Sequence, residues 1–155
     1  MKILSEVHDP EIPVLNIVEM GIVRNVEFSE GRVNVEITPT YSGCPAMKVI
    51  EDDIVTALNV NGFTNINVNI VYSPVWTTEW LSSSTKQKLK DYGIAPPRRS
   101  EDEVIILLPR LRESVACPFC GSKETELRSE FGSTACKSFY YCNNCKQPFE
   151  YFKEI

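Results

Sequence analysis

Hydrophobic and polar residues alternate with a period of two at Val26 and Phe28, and again at Val33, Val35 and Ile37. That is the pattern of two half-buried strands, and Ser29-Glu30-Gly31 between them is a short hairpin loop. The period then lengthens. From Pro45 to about Val60, residues Ile50, Ile54, Ala57 and Leu58 fall on one face at i, i+4, i+7 and i+8. Glu51, Asp52 and Asp53 lie off that face or in the early turns, so the spacing predicts a helix. Pro45 suits the first helical position, and Asn61-Gly62 ends the run. A third strand follows, in which Ile66, Val68, Ile70 and Tyr72 alternate with Asn67, Asn69 and Val71. A strand–helix–strand crossover implies that the second and third strands pair in parallel, beside the antiparallel hairpin. The expected fold class is α+β, with a small mixed three- to four-stranded sheet and helices on one side.

Beyond that sheet, Thr77 or Thr78 can cap a further helix running through Trp80, Leu81, Leu89 and Tyr92 to Gly93, with the Ser82-Ser83-Ser84 run weakening its middle. The stretch Ala95-Pro96-Pro97-Arg98-Arg99-Ser100-Glu101-Asp102-Glu103 has linker composition, stiff prolines followed by solvated charge. Val104 to Leu108 is a short apolar strand that either opens the next module or docks it. Three segments result: an α+β domain at 1–93, a linker or docking segment at 94–109, and a small C-terminal module at 110–155.

Two Cys-x-x-Cys pairs define that last module: Cys117-Pro118-Phe119-Cys120 and Cys142-Asn143-Asn144-Cys145. Each pair folds as a tight turn whose sulfurs converge, and two such turns complete a tetrahedral thiolate set for Zn²⁺ or an iron–sulfur centre. The module is a four-cysteine, zinc-ribbon-like domain by this reading. Cys136 is a fifth cysteine nearby, either an additional or alternative ligand or a buried structural thiol.

Composition narrows the partners. The chain has 155 residues, 43% of them hydrophobic, and a formal charge of −5. The acidity sits in residues 1–92, while 110–155 carries seven Lys/Arg against six Asp/Glu. That balance lacks the basic footprint that nucleic-acid binding requires. No apolar run is long enough for a membrane span. The opening Met1 to Asp9 turns acidic too early for a signal peptide, so reduced thiols and the cytoplasm are the expectation.

Cys44 is the second chemical feature. It follows Thr38-Pro39-Thr40-Tyr41-Ser42-Gly43 at a strand's C-terminal end and precedes the predicted helix. A thiol there meets the positive end of the helix macrodipole, so its pKa is expected to fall. His8, the chain's one histidine, pairs with Cys44 as a base or is simply a loop residue. Asp9 and Glu11, on either side of Pro10, form an acidic pair, or Asp9 caps a short helix begun by the proline. Trp76, Thr78 and Trp80 line a partner surface or cover the core.

Several of these segments together resemble the PaaD family of bacterial phenylacetate degradation. They are Asp9 to Ile17, Gly21-Ile22-Val23, Thr38 to Ala46, Ser73 to Trp80, Phe131 to Lys137, and Pro148 to Lys153. Residues 1–93 also resemble the wider assembly-factor family that includes bacterial SufT and the eukaryotic cytosolic iron–sulfur targeting factors. Glu79 stands where the family pattern carries aspartate. The resemblance implies an accessory subunit of the phenylacetyl-CoA ring-epoxidising monooxygenase that helps mature iron or iron–sulfur centres in its oxygenase or reductase. It implies functional roles for Asp9, Glu11 and Cys44. A cluster held transiently by Cys44 needs further ligands, for which a homodimer is one source.

The residues themselves agree about catalysis. A di-iron oxygenase site needs carboxylates and Glu-x-x-His spacing on bundle helices, and no Gly-x-Gly-x-x-Gly nucleotide loop is present. An accessory factor is therefore expected rather than an enzyme. The competing readings are a structural adaptor of the oxygenase without iron handling, and an enzyme that uses Cys44 as nucleophile.

Overall fold

The computed structural model describes residues 1–98 and 115–155. The predicted strand Val104 to Leu108 lies outside the described residues. Two compact units emerge, Met1–Thr85 with Ile155, and Lys86–Glu154. No described helix is long and apolar enough to cross a membrane.

In the first unit, β1 (Val23–Ser29) and β2 (Arg32–Ile37) form the antiparallel hairpin. Helix α1 (Ala46–Val60) crosses over to β3 (Ile66–Ile70), which pairs in parallel with β2, giving the order β1-β2-β3. Alternation decides the faces. Val33, Val35 and Ile37 are buried, as are Ile50, Ile54 and Leu58 of α1. Asn34, Glu36, Asn67 and Asn69 occupy the opposite face of the sheet. The N-terminal segment contributes Leu4, Val7, Ile12, Leu15, Ile17, Met20 and Ile22 to the interior. It holds itself in place by Asp9 N–H donating to Leu15 O and Ile17 N–H to Val7 O, each 3.0 Å.

The helix expected from Thr77 onward is split. Thr77 Oγ1 accepts from Glu79 N–H over a single 3₁₀ turn, Thr78–Trp80. The α-helix itself is α2 (Ser83–Asp91), and Ser82 Oγ accepts from Thr85 N–H at 3.0 Å. The serine run supplies the start of the helix instead of weakening its middle, because serine competes best for the unpaired N–H groups of a first turn.

The second unit is a four-stranded sheet, ordered β4 (Ile94–Ala95), β7 (Pro148–Phe152), β6 (Lys137–Cys142), β5 (Thr125–Ser129). Ile94–Ala95 pair in parallel with Glu150–Tyr151 as a strand of this unit. Its interior gathers Ala95, Val115, Cys117, Cys142, Phe149 and Tyr151. Tyr140 stacks on its cross-strand partner Phe149, ring centroids 5.7 Å apart.

An ion pair also lies inside this unit. Lys137, 4% exposed, meets Glu150 at 3.0 Å. Glu150 also accepts from Ser133 N–H. Burial pushes the Glu150 carboxyl up, but the Ser133 N–H and Lys137 together outweigh it and hold it below the usual range. A Cβ on Gly132 would lie 2.5 Å from Glu150 Oε1, so a side chain there would have to displace the carboxylate.

Lys137→Met should cost about 2–3 kcal/mol, at or below the low end of the ~3–5 kcal/mol for breaking a fully buried pair, because Glu150 keeps some water contact. A carboxyl with a depressed folded pKa contributes stability above its unfolded value of about 4.3, lost as pH falls through the folded value. Chemical denaturation at several pH values should therefore show the gap between parent and variant narrowing below about pH 4.

Candidate functional site

The paired cysteines occupy two turns built alike. In the first, Cys117 N–H donates to Ser122 O at 2.9 Å and Gly121 N–H returns to Cys117 O at 2.9 Å. In the second, Cys142 N–H donates to Gln147 O at 2.9 Å and Lys146 N–H returns to Cys142 O at 3.0 Å. Each turn demands a left-handed residue directly after its second cysteine. Gly121 meets this at φ 73° without strain, and Lys146 at φ 62° with a Cβ in the way. Lys146 offsets part of that cost by its ammonium donating to Asn143 O.

The outcome is one compact sulfur cage. Sγ atoms of Cys117, Cys120, Cys142 and Cys145 all lie within 4.8 Å of one another. Cys117–Cys145 and Cys120–Cys142 are 3.7 and 3.6 Å apart. A tetrahedral ion with metal–sulfur bonds of ~2.3 Å needs sulfurs about 3.8 Å apart, so the donor set fits a metal ion. Cys117 and Cys142 are buried, whereas Cys120 is exposed. The Ser122 N–H, then the Asn144 amide, draw the Cys120 thiol down to about 6, while burial, then the neighbouring sulfurs, push Cys145 up to about 12. A cation at the centre reverses the second effect, since bound thiols are deprotonated outright.

Cys136 is not part of this cage. It is buried, with its sulfur 3.1 Å from Thr134 Oγ1 and its carbonyl accepting from Lys153 N–H. The structure thus corrects its place as an alternative ligand: the chain entering β6 turns the thiol into the packing of the unit.

In the first unit, Cys44 sits half-buried where the β2–α1 loop enters the helix. Its thiol receives hydrogen bonds from the Ala46 N–H and the Tyr41 side chain. The expected drop in pKa is overturned. Burial takes the thiolate out of water and pushes the pKa up; the Ala46 N–H pulls it down, but the Glu11 and Asp9 carboxylates add repulsion, and the net shift is upward. The N-terminus of α1 is a weaker influence than desolvation at this depth. The structure therefore brings Cys44, Glu11 and Asp9 into electrostatic reach of one another across a long stretch of sequence.

Asp9 is buried, and its Oδ1 accepts from Glu11 N–H and Ile12 N–H, both at 2.8 Å. It caps a turn, although no helix begins at Pro10. That turn fixes Glu11. His8 is spent elsewhere, its Nδ1 2.8 Å from Pro13 O, and it is not among the groups acting most strongly on Cys44. Two features escaped the sequence: the Tyr41 contact, and the burial of Thr38 and Thr40 in the same loop.

Trp76 and Thr78 are interior residues, 1% and 5% exposed, which corrects their assignment to a partner surface. Trp76 Nε1 donates to Met20 O at 2.8 Å, tying this segment to the N-terminal loops. Trp80 alone stays partly exposed, under the Arg24 guanidinium at 3.8 Å.

Comparison with known proteins adds the following. The "Iron-sulfur cluster assembly protein" family model matches residues 1–70, and the "PaaD zinc beta ribbon domain" model matches residues 102–153. A subunit of the "Putative 1,2-phenylacetyl-CoA epoxidase" of Escherichia coli (strain K12) is 46% identical over 154 residues, covering 99% of this chain and 90% of the relative. An "Fe-S protein maturation auxiliary factor" of Porphyromonas gingivalis is 32% identical over 57% of this chain and 86% of its own length. Among solved structures, a DUF59 domain from Bacillus anthracis is 34% identical with a TM-score of 0.53, over 57% of this chain and 85% of that one.

Two outcomes are expected. Cys117→Ser should abolish metal retention and Cys136→Ser should leave it intact, as measured by metal content after gel filtration, because only the former lies in the cage. The rate of Cys44 alkylation should show a midpoint above the ordinary value of about 8.5, and Glu11→Gln should lower that midpoint by removing a repelling charge.

Proposed function

The chain belongs to the PaaD family, and from that membership we propose that it is an accessory factor that helps assemble iron or iron–sulfur centres in a phenylacetyl-CoA ring-epoxidising monooxygenase. The observation that supports this is that the Glu11 and Asp9 carboxylates act electrostatically on the half-buried Cys44 thiol just ahead of α1. A thiol raised in pKa beside two carboxylates is a poor nucleophile at neutral pH. For a soft divalent cation it is a good receiving site. The incoming cation displaces the thiol proton, is held by sulfur and neutralises the carboxylates that opposed ionisation. Its coordination stays incomplete, so the cargo passes on to a client with more ligands. Iron or a cluster is here the substrate, not a resident cofactor.

The ribbon has a different role in this reading. Its four-sulfur cage has the size of a single tetrahedral ion, and in a cluster the cysteines would ligate different iron atoms and spread further apart. Cys117, Cys120, Cys142 and Cys145 would hold one Zn²⁺, which supplies folding free energy and no chemistry. The ribbon then presents a docking surface to the oxygenase or reductase component.

The second reading is an adaptor that binds the oxygenase without touching iron. Cys44→Ser separates the two, since serine keeps the volume but is a poor ligand for soft iron. Maturation predicts an intact fold, lower phenylacetyl-CoA epoxidation in cells and under-metallated client, with activity restored when fully loaded components are assayed without this protein. Normal turnover and normal client iron in Cys44→Ser cells would leave the adaptor reading in its place.

A further inference from the structure

The sheet of the first unit has two edges, and they differ. Edge strand β1 carries Arg24 and Glu27 and an irregularity between Val23 and Asn25, the charge and bulge devices that discourage edge pairing. Strand β3 carries none of them. It reads Ile66-Asn67-Val68-Asn69-Ile70, without charge, proline or glycine, and its register with β2 runs unbroken. Among the described residues no strand pairs with its outer side. Asn67, Asn69 and Ile70 are exposed, and Tyr72 just beyond is 63% exposed.

The sequence of this edge is also a palindrome. We propose that β3 is a self-association edge, pairing antiparallel with β3 of a second copy of this chain about Val68. Three observations agree. A two-fold interface must be self-complementary, and reversal of the strand gives the same residues in the same order, so Ile66 faces Ile70 and Asn67 faces Asn69. The hydrogen-bond phase is right as well. Val33 N–H donates to Asn65 O and Val71 N–H to Ile37 O. With the parallel register Val33–Ile66, Val35–Val68 and Ile37–Ile70, the groups of Asn67 and Asn69 turn toward β2 and those of Ile66, Val68 and Ile70 turn outward. Antiparallel pairing about Val68 matches outward residue with outward residue, each facing pair exchanging both bonds. The faces match too: Ile66, Val68 and Ile70 share the side of Val33, Val35 and Ile37, so pairing extends the apolar face and sets the asparagine amides opposite one another on the polar face.

The resulting assembly is one continuous sheet in the order β1-β2-β3-β3-β2-β1. Its two-fold axis sends the C-terminal ends of the two β3 strands in opposite directions. The Cys44 loops, which leave the same sheet end as those strands, are then at opposite ends. Such a dimer carries two separate Cys44 sites and cannot bridge one cluster between them. The inference does not depend on the proposed function, since it would hold equally for an adaptor.

Sedimentation equilibrium of the full chain tests it. The contact is smaller than a standard interface of ~1,600 Å², so association with a Kd on the order of 10 µM is expected. Asn67→Lys with Asn69→Lys sets like charges opposite each other across the axis and should weaken association at least tenfold. Asn67→Glu with Asn69→Lys sets opposite charges face to face and should restore it. Circular dichroism of both variants should match the parent, because Asn67 and Asn69 lie on the solvated face. A parent chain monomeric up to about 1 mM, where even millimolar affinity would show, overturns the proposal. So does equal behaviour of the two charge variants.

Discussion

Four thiol sulfurs within 4.8 Å of one another, two of them fully buried, form the constraint on which the C-terminal unit depends. Close thiolates repel, and only a central cation turns that repulsion into a bond network. The apolar interior of this unit is small and includes Cys117 and Cys142 themselves. A core of that size supplies little folding free energy without a staple. The two Cys-x-x-Cys turns, the left-handed backbone at Gly121 and Lys146, and the ends of β6 and β7 are arranged around that cage. The buried Lys137–Glu150 pair and the stacked Tyr140 and Phe149 then fix how β6 lies on β7.

The first unit follows a different logic. Its sheet and α1 form an ordinary apolar interface, and Cys44 lies in the loop that leaves β2. Asp9 spends its carboxylate on backbone N–H groups and so sets the turn that presents Glu11. Burial first, and these two carboxylates with it, raise the pKa of the Cys44 thiol. In the proposed function the two cysteine sites would divide the labour: the closed donor set of four sulfurs would retain its ion, and the single sulfur of Cys44 would release it.

Much of this is legible in the sequence. Alternation at Val33, Val35 and Ile37, and the 3.6-residue period through Ile50, Ile54 and Leu58, report burial on one face directly, so the hairpin, α1 and the parallel β3 can be placed. The Cys-x-x-Cys spacing is a local geometric signal and survives any tertiary arrangement. Depth is what local patterns do not carry. In the sequence, Trp76 and Thr78 could line a partner surface or cover the core; the Trp76 Nε1 bond to Met20 O and their burial place them inside. Sequence neighbours alone would let the helix dipole govern the Cys44 thiol, but desolvation and the distant Glu11 and Asp9 outweigh it. Neither effect is carried by residues adjacent in sequence. Ile94 and Ala95 escape a strand assignment for a related reason, because they acquire strand pairing only through β7.

The central claim is that the ribbon holds one tetrahedral ion as structural support while iron handling belongs to Cys44. X-ray absorption fine structure of the purified full chain at the edge of the bound metal addresses it most directly. The account predicts zinc with a single shell of four sulfurs at about 2.3 Å and no metal–metal scattering, unchanged in Cys44→Ser. An iron edge with a metal–metal vector that disappears when Cys117 or Cys142 is substituted would contradict it and move the cluster into the ribbon.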